Sequence, residues 1–186
     1  MNYILIGIIV LVFIIGISIY NGLINKKNTV EEALSSVDVM LKKRFDLIPN
    51  LVNAVQQYMT HERGLLKDIT KLRTQLANVA GMDDKTRFDL ENALTGKVGQ
   101  MMVQVENYPD LKASHNFLHL QRSLNEVEEQ ISASRRSYNA AVKSLNNGIE
   151  MFPSNIFAGM MSLQKRPYFE ISNTERATPD VKNLFA

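Results

Sequence analysis

Residues 3–20 read YILIGIIVLVFIIGISIY, without a single charged side chain. This run limits every fold open to the chain. Carried on to Ile24, it admits only Asn21 as a poor membrane residue. As a helix, residues 3–24 reach about 33 Å, against a hydrocarbon core of about 30 Å. Tyr3 and Tyr20 stand near the two ends, where interfacial rings are favoured. There is no basic stretch ahead of the run and no A-x-A-like cleavage site after it, so a cleaved leader is not expected. The expectation is a permanent single-pass anchor, with the lipid bilayer as partner of residues 3–24.

Charge asymmetry sets the expected orientation. Only Met1 and Asn2 precede the run, whereas Lys26, Lys27, Lys42, Lys43 and Arg44 follow it. The positive-inside rule then places the rest of the chain in the cytoplasm. Overall charge is nearly balanced, with Lys+Arg 21 against Asp+Glu 19 and a net +2. Such a balance gives no electrostatic reason to expect nucleic acid as a partner. Cysteine is absent, which removes disulfides, thiolate metal sites and a thiol nucleophile.

Beyond Lys27 the pattern is helical. Thr29 with Glu32 has capping-box spacing, so a helix is expected to open there. Val30, Leu34, Val37, Leu41, Phe45 and Ile48 recur in steps of three and four. After Pro49 the stripe resumes at Leu51 and runs through Val55, Tyr58, Glu62, Leu65, Ile69, Leu72 and Leu76 to Val79, a heptad seam. A third helix carries Leu90, Leu94, Val98, Met101 and Val105. Its Gly96 and Gly99 would admit a close neighbour. A fourth, from about Ser114, carries Leu120, Leu124, Val127, Ile131, Tyr138 and Leu145. No alternating run is long enough for a strand. The expected fold is all-α: an N-terminal transmembrane helix, an antiparallel up-and-down bundle of about four long helices, and an irregular tail. The corresponding domains are 1–25 (anchor), 26–150 (bundle) and 151–186 (short apolar segment and tail). The tail beyond Asn173 is polar and expected to pack loosely.

Motifs for chemistry are sparse. His61-Glu62 begins like the zinc-peptidase H-E-x-x-H, but Leu65 stands where the second histidine should be. His115 and His119 share a helix face, yet two imidazoles fall short of a zinc site. There is no phosphate loop and no nucleophile elbow. No catalytic, cofactor-binding or metal residue is assigned, and no cofactor is expected. The polar residues set among the apolar stripes are more telling: Asp38, Arg44, Asp46, Glu62, Glu128, Arg135, Tyr138 and Asn139 form the expected structural polar core. A carboxylate in a seam must be paired, because desolvation otherwise costs several kcal/mol. Glu62 is therefore expected to be buried against an arginine of another helix, Arg135 or Arg44.

The stretch VMLKKRFDLIPNLVNAV, residues 39–55, reads as a scaffold corner with a solvated basic flank. Leu41, Phe45 and Ile48 face the core while Lys42 and Lys43 lie outside it. Proline removes one backbone donor and clashes with the carbonyl four residues earlier, so a kink or turn is expected over Asp46–Asn50. Past the bundle, Ile156, Phe157, Met160, Met161 and Leu163 make an apolar patch. It is expected to fold back on its own helices or to contact a partner or the membrane.

These residues also carry a family resemblance. VEEALSSVDVMLKKRFDLIPNLVNAVQQYMTHE, residues 30–62, resembles the signature of the LemA family of bacterial membrane proteins. Asp38, Leu41, Lys42, Arg44, the run Asp46–Val52, Tyr58, His61 and Glu62 fit it. EEQISASRRSYNAAV, residues 128–142, resembles a second family segment through Glu128, Ile131, Arg135, Tyr138 and Asn139. MFPSNIFAG and PYFE resemble its C-terminal elements. Leu34, Lys43 and Phe45 depart from the usual Trp, Arg and Tyr. The resemblance implies a helical bundle on a transmembrane helix in the bacterial inner membrane. It implies no catalytic residue. Some relatives are implicated in forming magnetosome membranes, and family genes often lie near membrane metallopeptidase genes; these associations link the resemblance to membrane organisation and to a membrane metallopeptidase as partner.

Three functions compete on this footing. The first is a membrane-anchored, non-catalytic scaffold that self-associates as a homo-oligomer and organises membrane or recruits partners. The second is a regulatory module that binds a ligand or a peptidase. The third is an enzyme using a polar site in the bundle core.

Overall fold

The structure, a computed structural model, describes residues 2–78 and 81–170. The polar tail singled out beyond Asn173 lies outside the described residues. The molecule is all-helical: α1 (Asn2–Val55), α2 (Arg63–Ala77), α3 (Asp84–Val105), α4 (Pro109–Lys112), α5 (His115–Glu150) and α6 (Ser154–Met160). The chain divides into two compact units. Among the described residues, one joins 2–42 to 129–168; the other joins 43–128 to 169–170.

The helix expected to open at Thr29 does not open there. No proline or glycine interrupts residues 23–48, and α1 runs through. Thr29 instead donates its hydroxyl to Asn25 O, 2.9 Å away, as a residue within a helix. Gly16, Leu23, Val30, Val37, Arg44 and Leu51 recur every seven residues along α1. From Leu23 onward each of them is buried. A seven-residue period of this kind is the seam along which helices pack.

Nor does α1 turn over Asp46–Asn50. It stays helical to Val55 with Pro49 inside it. Pro49 has no N–H to give to Phe45 O. Arg73 of α2 reaches that carbonyl with Nε at 3.5 Å, and its guanidinium carbon lies 4.2 Å from the centre of the Phe45 ring. The acceptor that proline strands is taken up from outside the helix. The chain turns later, over Gln56–Glu62, where Met59 is fully buried. The stripe read as one helix from Leu51 to Val79 is therefore broken over Gln56–Glu62, and its last member, Val79, lies outside the described residues.

In the first unit Leu23, Val30, Val37 and Leu41 of α1 are buried, as are Ile131, Tyr138, Val142 and Leu145 of α5. Close approach occurs at Gly148, where a Cβ would lie 3.1 Å from Leu23 Cδ2 and 3.3 Å from Lys26 Cδ. Gly96 and Gly99, expected to admit a neighbour, face open space. In the second unit Ile48, Leu51 and Val55 join Ile69, Leu94, Val98, Met101, Phe117 and Leu124 in one core. Burying each such side chain stabilises by about 1.5–3 kcal/mol relative to leaving it in water.

Asp83 caps α3, accepting from Thr86 N at 3.0 Å and from the Thr86 hydroxyl at 2.6 Å. The hydroxyl first, and the amide next, hold the Asp83 carboxyl below its ordinary range. A depressed carboxyl stabilises the fold above its unfolded pKa, and that support is lost as pH falls through the folded value. Asp83→Ala is expected to lower Tm at neutral pH, with the difference from the parent closing in acid. Thermal unfolding of both proteins at several pH values checks this; a gap that persists after Asp83 is protonated would rule it out.

Candidate functional site

Arg44 is the most deeply buried charge in the described chain, with 1% of its side chain exposed. It belongs to the α1 seam, so the helix delivers it into the second unit. There it meets α3 and the start of α5. One terminal nitrogen donates to Glu128 Oε1 at 2.8 Å and to the Thr95 hydroxyl. The other pairs with Glu91 Oε2 and also reaches Glu91 O at 3.4 Å. Thr95 passes its own hydroxyl hydrogen to Glu91 O at 3.1 Å. Arg44 Nε is buried without a partner. Glu91 is buried as well, whereas Glu128 keeps 32% of its side chain in solvent, which hydrates the second carboxylate. The guanidinium fork ties three helices together.

Of the residues expected to form a polar core, two, Arg44 and Glu128, meet in this cluster. Glu62 is half-buried rather than buried and stands at the N-cap of α2, making no side-chain cap. Arg44, offered as its partner, is engaged by Glu91 and Glu128. The reason is the break over Gln56–Glu62, which takes Glu62 out of the seam. Asp46 is exposed, and Asp38 is half-buried. In the first unit Arg135 and Asn139 are half-buried and Tyr138 is fully buried. The Tyr138 hydroxyl donates to Pro167 O at 3.1 Å. His115 and His119 are exposed. Among the described residues no group of three or more His, Asp or Glu is placed to share a metal ion.

A second feature went unread in the sequence. Residues 161–170 form a strap fastened by side chains. In the first unit Asn146 binds Arg166 twice, donating to its carbonyl and accepting from its amide, both at 3.0 Å. In the second unit Phe169 stacks on Phe88 with ring centres 4.0 Å apart, and Asn92 donates to Glu170 O at 2.8 Å. Single asparagines leave no periodic trace; only their place one step off apolar stripes marks Asn92 and Asn146.

An open groove of about 650 Å³ runs along α2, lined by Arg63, Lys67, Lys71, Gln56, Gln57 and Thr74 among others, with no carboxylate in its wall. The basic residues recur every four positions and give α2 a cationic face.

A family model described as the LemA family matches residues 33–183. "Protein LemA" of Metamycoplasma hominis is 28% identical over 183 residues, covering 94% of this chain and 83% of that protein. "Magnetosome protein MamQ 2" of Paramagnetospirillum magneticum is 23% identical over 175 residues, covering 81% of this chain and 64% of its own length. "Magnetosome protein MamQ" of Magnetospirillum gryphiswaldense is 21% identical over 189 residues, covering 87% and 70%.

Proposed function

Because this chain belongs to the LemA family, we propose that it is a membrane-anchored, non-catalytic scaffold. It self-associates in the plane of the bacterial inner membrane, with its helical units on the cytoplasmic side, and it organises membrane or recruits partners such as a membrane metallopeptidase. The observation that carries this reading is the continuity of α1. One helix long and apolar enough to cross a membrane continues without a linker into residues that are fully buried in the packed part of the molecule. The anchor is thereby part of the scaffold rather than a tether. The buried ion cluster supports the same reading, because the Arg44 charge is met by those of Glu91 and Glu128. The relatives' names are not names of enzymes, which agrees with it.

Anchoring confines every copy to one surface and raises the effective concentration for weak contacts. Light scattering of the detergent-purified protein is expected to give a protein mass well above one 21.1 kDa chain once the micelle is subtracted. Crosslinking in native membranes should give the matching ladder. A single-chain mass in both measurements would remove self-association from the proposal.

A further inference from the structure

Residues 151–164, MFPSNIFAGMMSLQ, carry no charged side chain. Glu150 and Lys165 flank this stretch and pair with each other. One step further out, Asn146 holds Arg166 by two hydrogen bonds. The stretch is a charge-free loop closed at its neck by an ion pair and a side-chain clamp.

Its course follows α1 toward the membrane. At the neck Gly148 packs on Leu23 and Lys26. Nine residues later Phe157 packs on Gly16, where a Cβ would lie 3.3 Å from Phe157 Cζ. Gly16 lies within the apolar span, about 12 Å deeper than Ile24. The Phe157 contact therefore sets α6 alongside the membrane-crossing part of the helix. Within the loop Phe152 and Met160 are each 79% exposed and Ile156 is 55% exposed. A recess of about 370 Å³ opens between Ile19, Leu23, Met151 and Phe152, with Lys26 at its rim.

We propose that residues 151–164 form a second membrane element, a short re-entrant corner whose Phe152, Ile156 and Met160 lie among the acyl chains of the leaflet beside α1. The occupant of this apolar face is lipid, because Phe157 sets the loop beside Gly16, within the apolar span. The backbone is suited to that setting, where every polar group must be satisfied internally. At the C-terminal end of α6, Leu163 N bonds Ala158 O at 3.0 Å and Ser162 N bonds Gly159 O at 3.0 Å. Ser162 takes the left-handed conformation, φ 53°, that this cap requires. At the other end the Ser154 hydroxyl donates to Met151 O at 2.9 Å.

The absence of cysteine makes the test direct. Full-length chains with Phe152→Cys, Ile156→Cys or Met160→Cys, each labelled with an environment-sensitive fluorophore, are reconstituted in phosphatidylcholine–phosphatidylglycerol vesicles. Ile9→Cys serves as the lipid reference and Val103→Cys, at an exposed position of α3, as the water reference. Spin-labelled lipid is expected to quench positions 152, 156 and 160 nearly as well as position 9. Iodide should quench them several-fold less than position 103. Iodide quenching equal to that at 103 overturns the proposal, and so does shielding from both quenchers, which would mean a second copy covers the face. Three exposed positions are used so that one misfolded variant does not decide the outcome.

Discussion

Arg44→Met should destabilise the protein by about 3–5 kcal/mol, because it leaves the Glu91 carboxylate buried and unpaired. For a chain of this size that is a fall in Tm of about 6–20 °C. Methionine keeps the apolar stem of the seam residue, so the loss reports the ion cluster rather than a cavity. Glu91 loses its partner in a setting where almost no water reaches it. The triple variant Arg44→Met, Glu91→Met, Glu128→Leu should recover most of the loss, since buried ion groups are often replaced by apolar side chains without penalty. Thermal unfolding in detergent, followed by circular dichroism, separates the cases. If the single variant unfolds at the parent temperature, the cluster does not hold the helices.

The second large effect is expected at the strap. Phe169 is buried on Phe88, and Phe169→Ala removes a large aromatic contact, a change that costs about 3–5 kcal/mol in a rigid core. A strap can lift away instead of leaving a cavity, so part of that cost should appear as local opening. Trypsin then gains access to the bond after Lys165, whose neighbour Arg166 is otherwise clamped by Asn146. Asn146→Ala should open the same bond, because it removes both hydrogen bonds that Asn146 makes to the Arg166 backbone. Limited proteolysis with mass spectrometry reads both variants. Cleavage kinetics unchanged from the parent in both would show that the strap is held by something else.

The all-helical class and the apolar span were legible because hydropathy and a period of three and four are local properties of a sequence. The breaks between helices were less so. Pro49 read as a corner because proline removes a hydrogen bond, but Arg73, a residue far off in sequence, takes up the stranded carbonyl and the helix survives. The true turn over Gln56–Glu62 contains neither proline nor glycine. Misplacing it put Glu62 into a seam that does not exist there. The same rule, a carboxylate on an apolar stripe, applies to Glu91 between Phe88 and Leu94, where the helix is unbroken and the carboxylate is buried with an arginine. The rule held; its use depended on knowing where the helix stops. Asn92 and Asn146 were beyond reach for another reason. Their partners are backbone groups of an irregular segment, and such groups have no sequence signature at all.

The seven-residue spacing of α1 starts inside the apolar run and is still in step at Leu51, so this helix behaves as a keyed shaft. One added residue between the span and the packed part would turn everything on one side by about 100° against the other. Gly16 would swing away from Phe157 while Val30 and Val37 kept their places. A foreign hydrophobic segment of equal length and hydropathy is therefore not an equivalent anchor unless its teeth are cut to the same phase. In this chain the membrane segment specifies a rotational setting as well as an address.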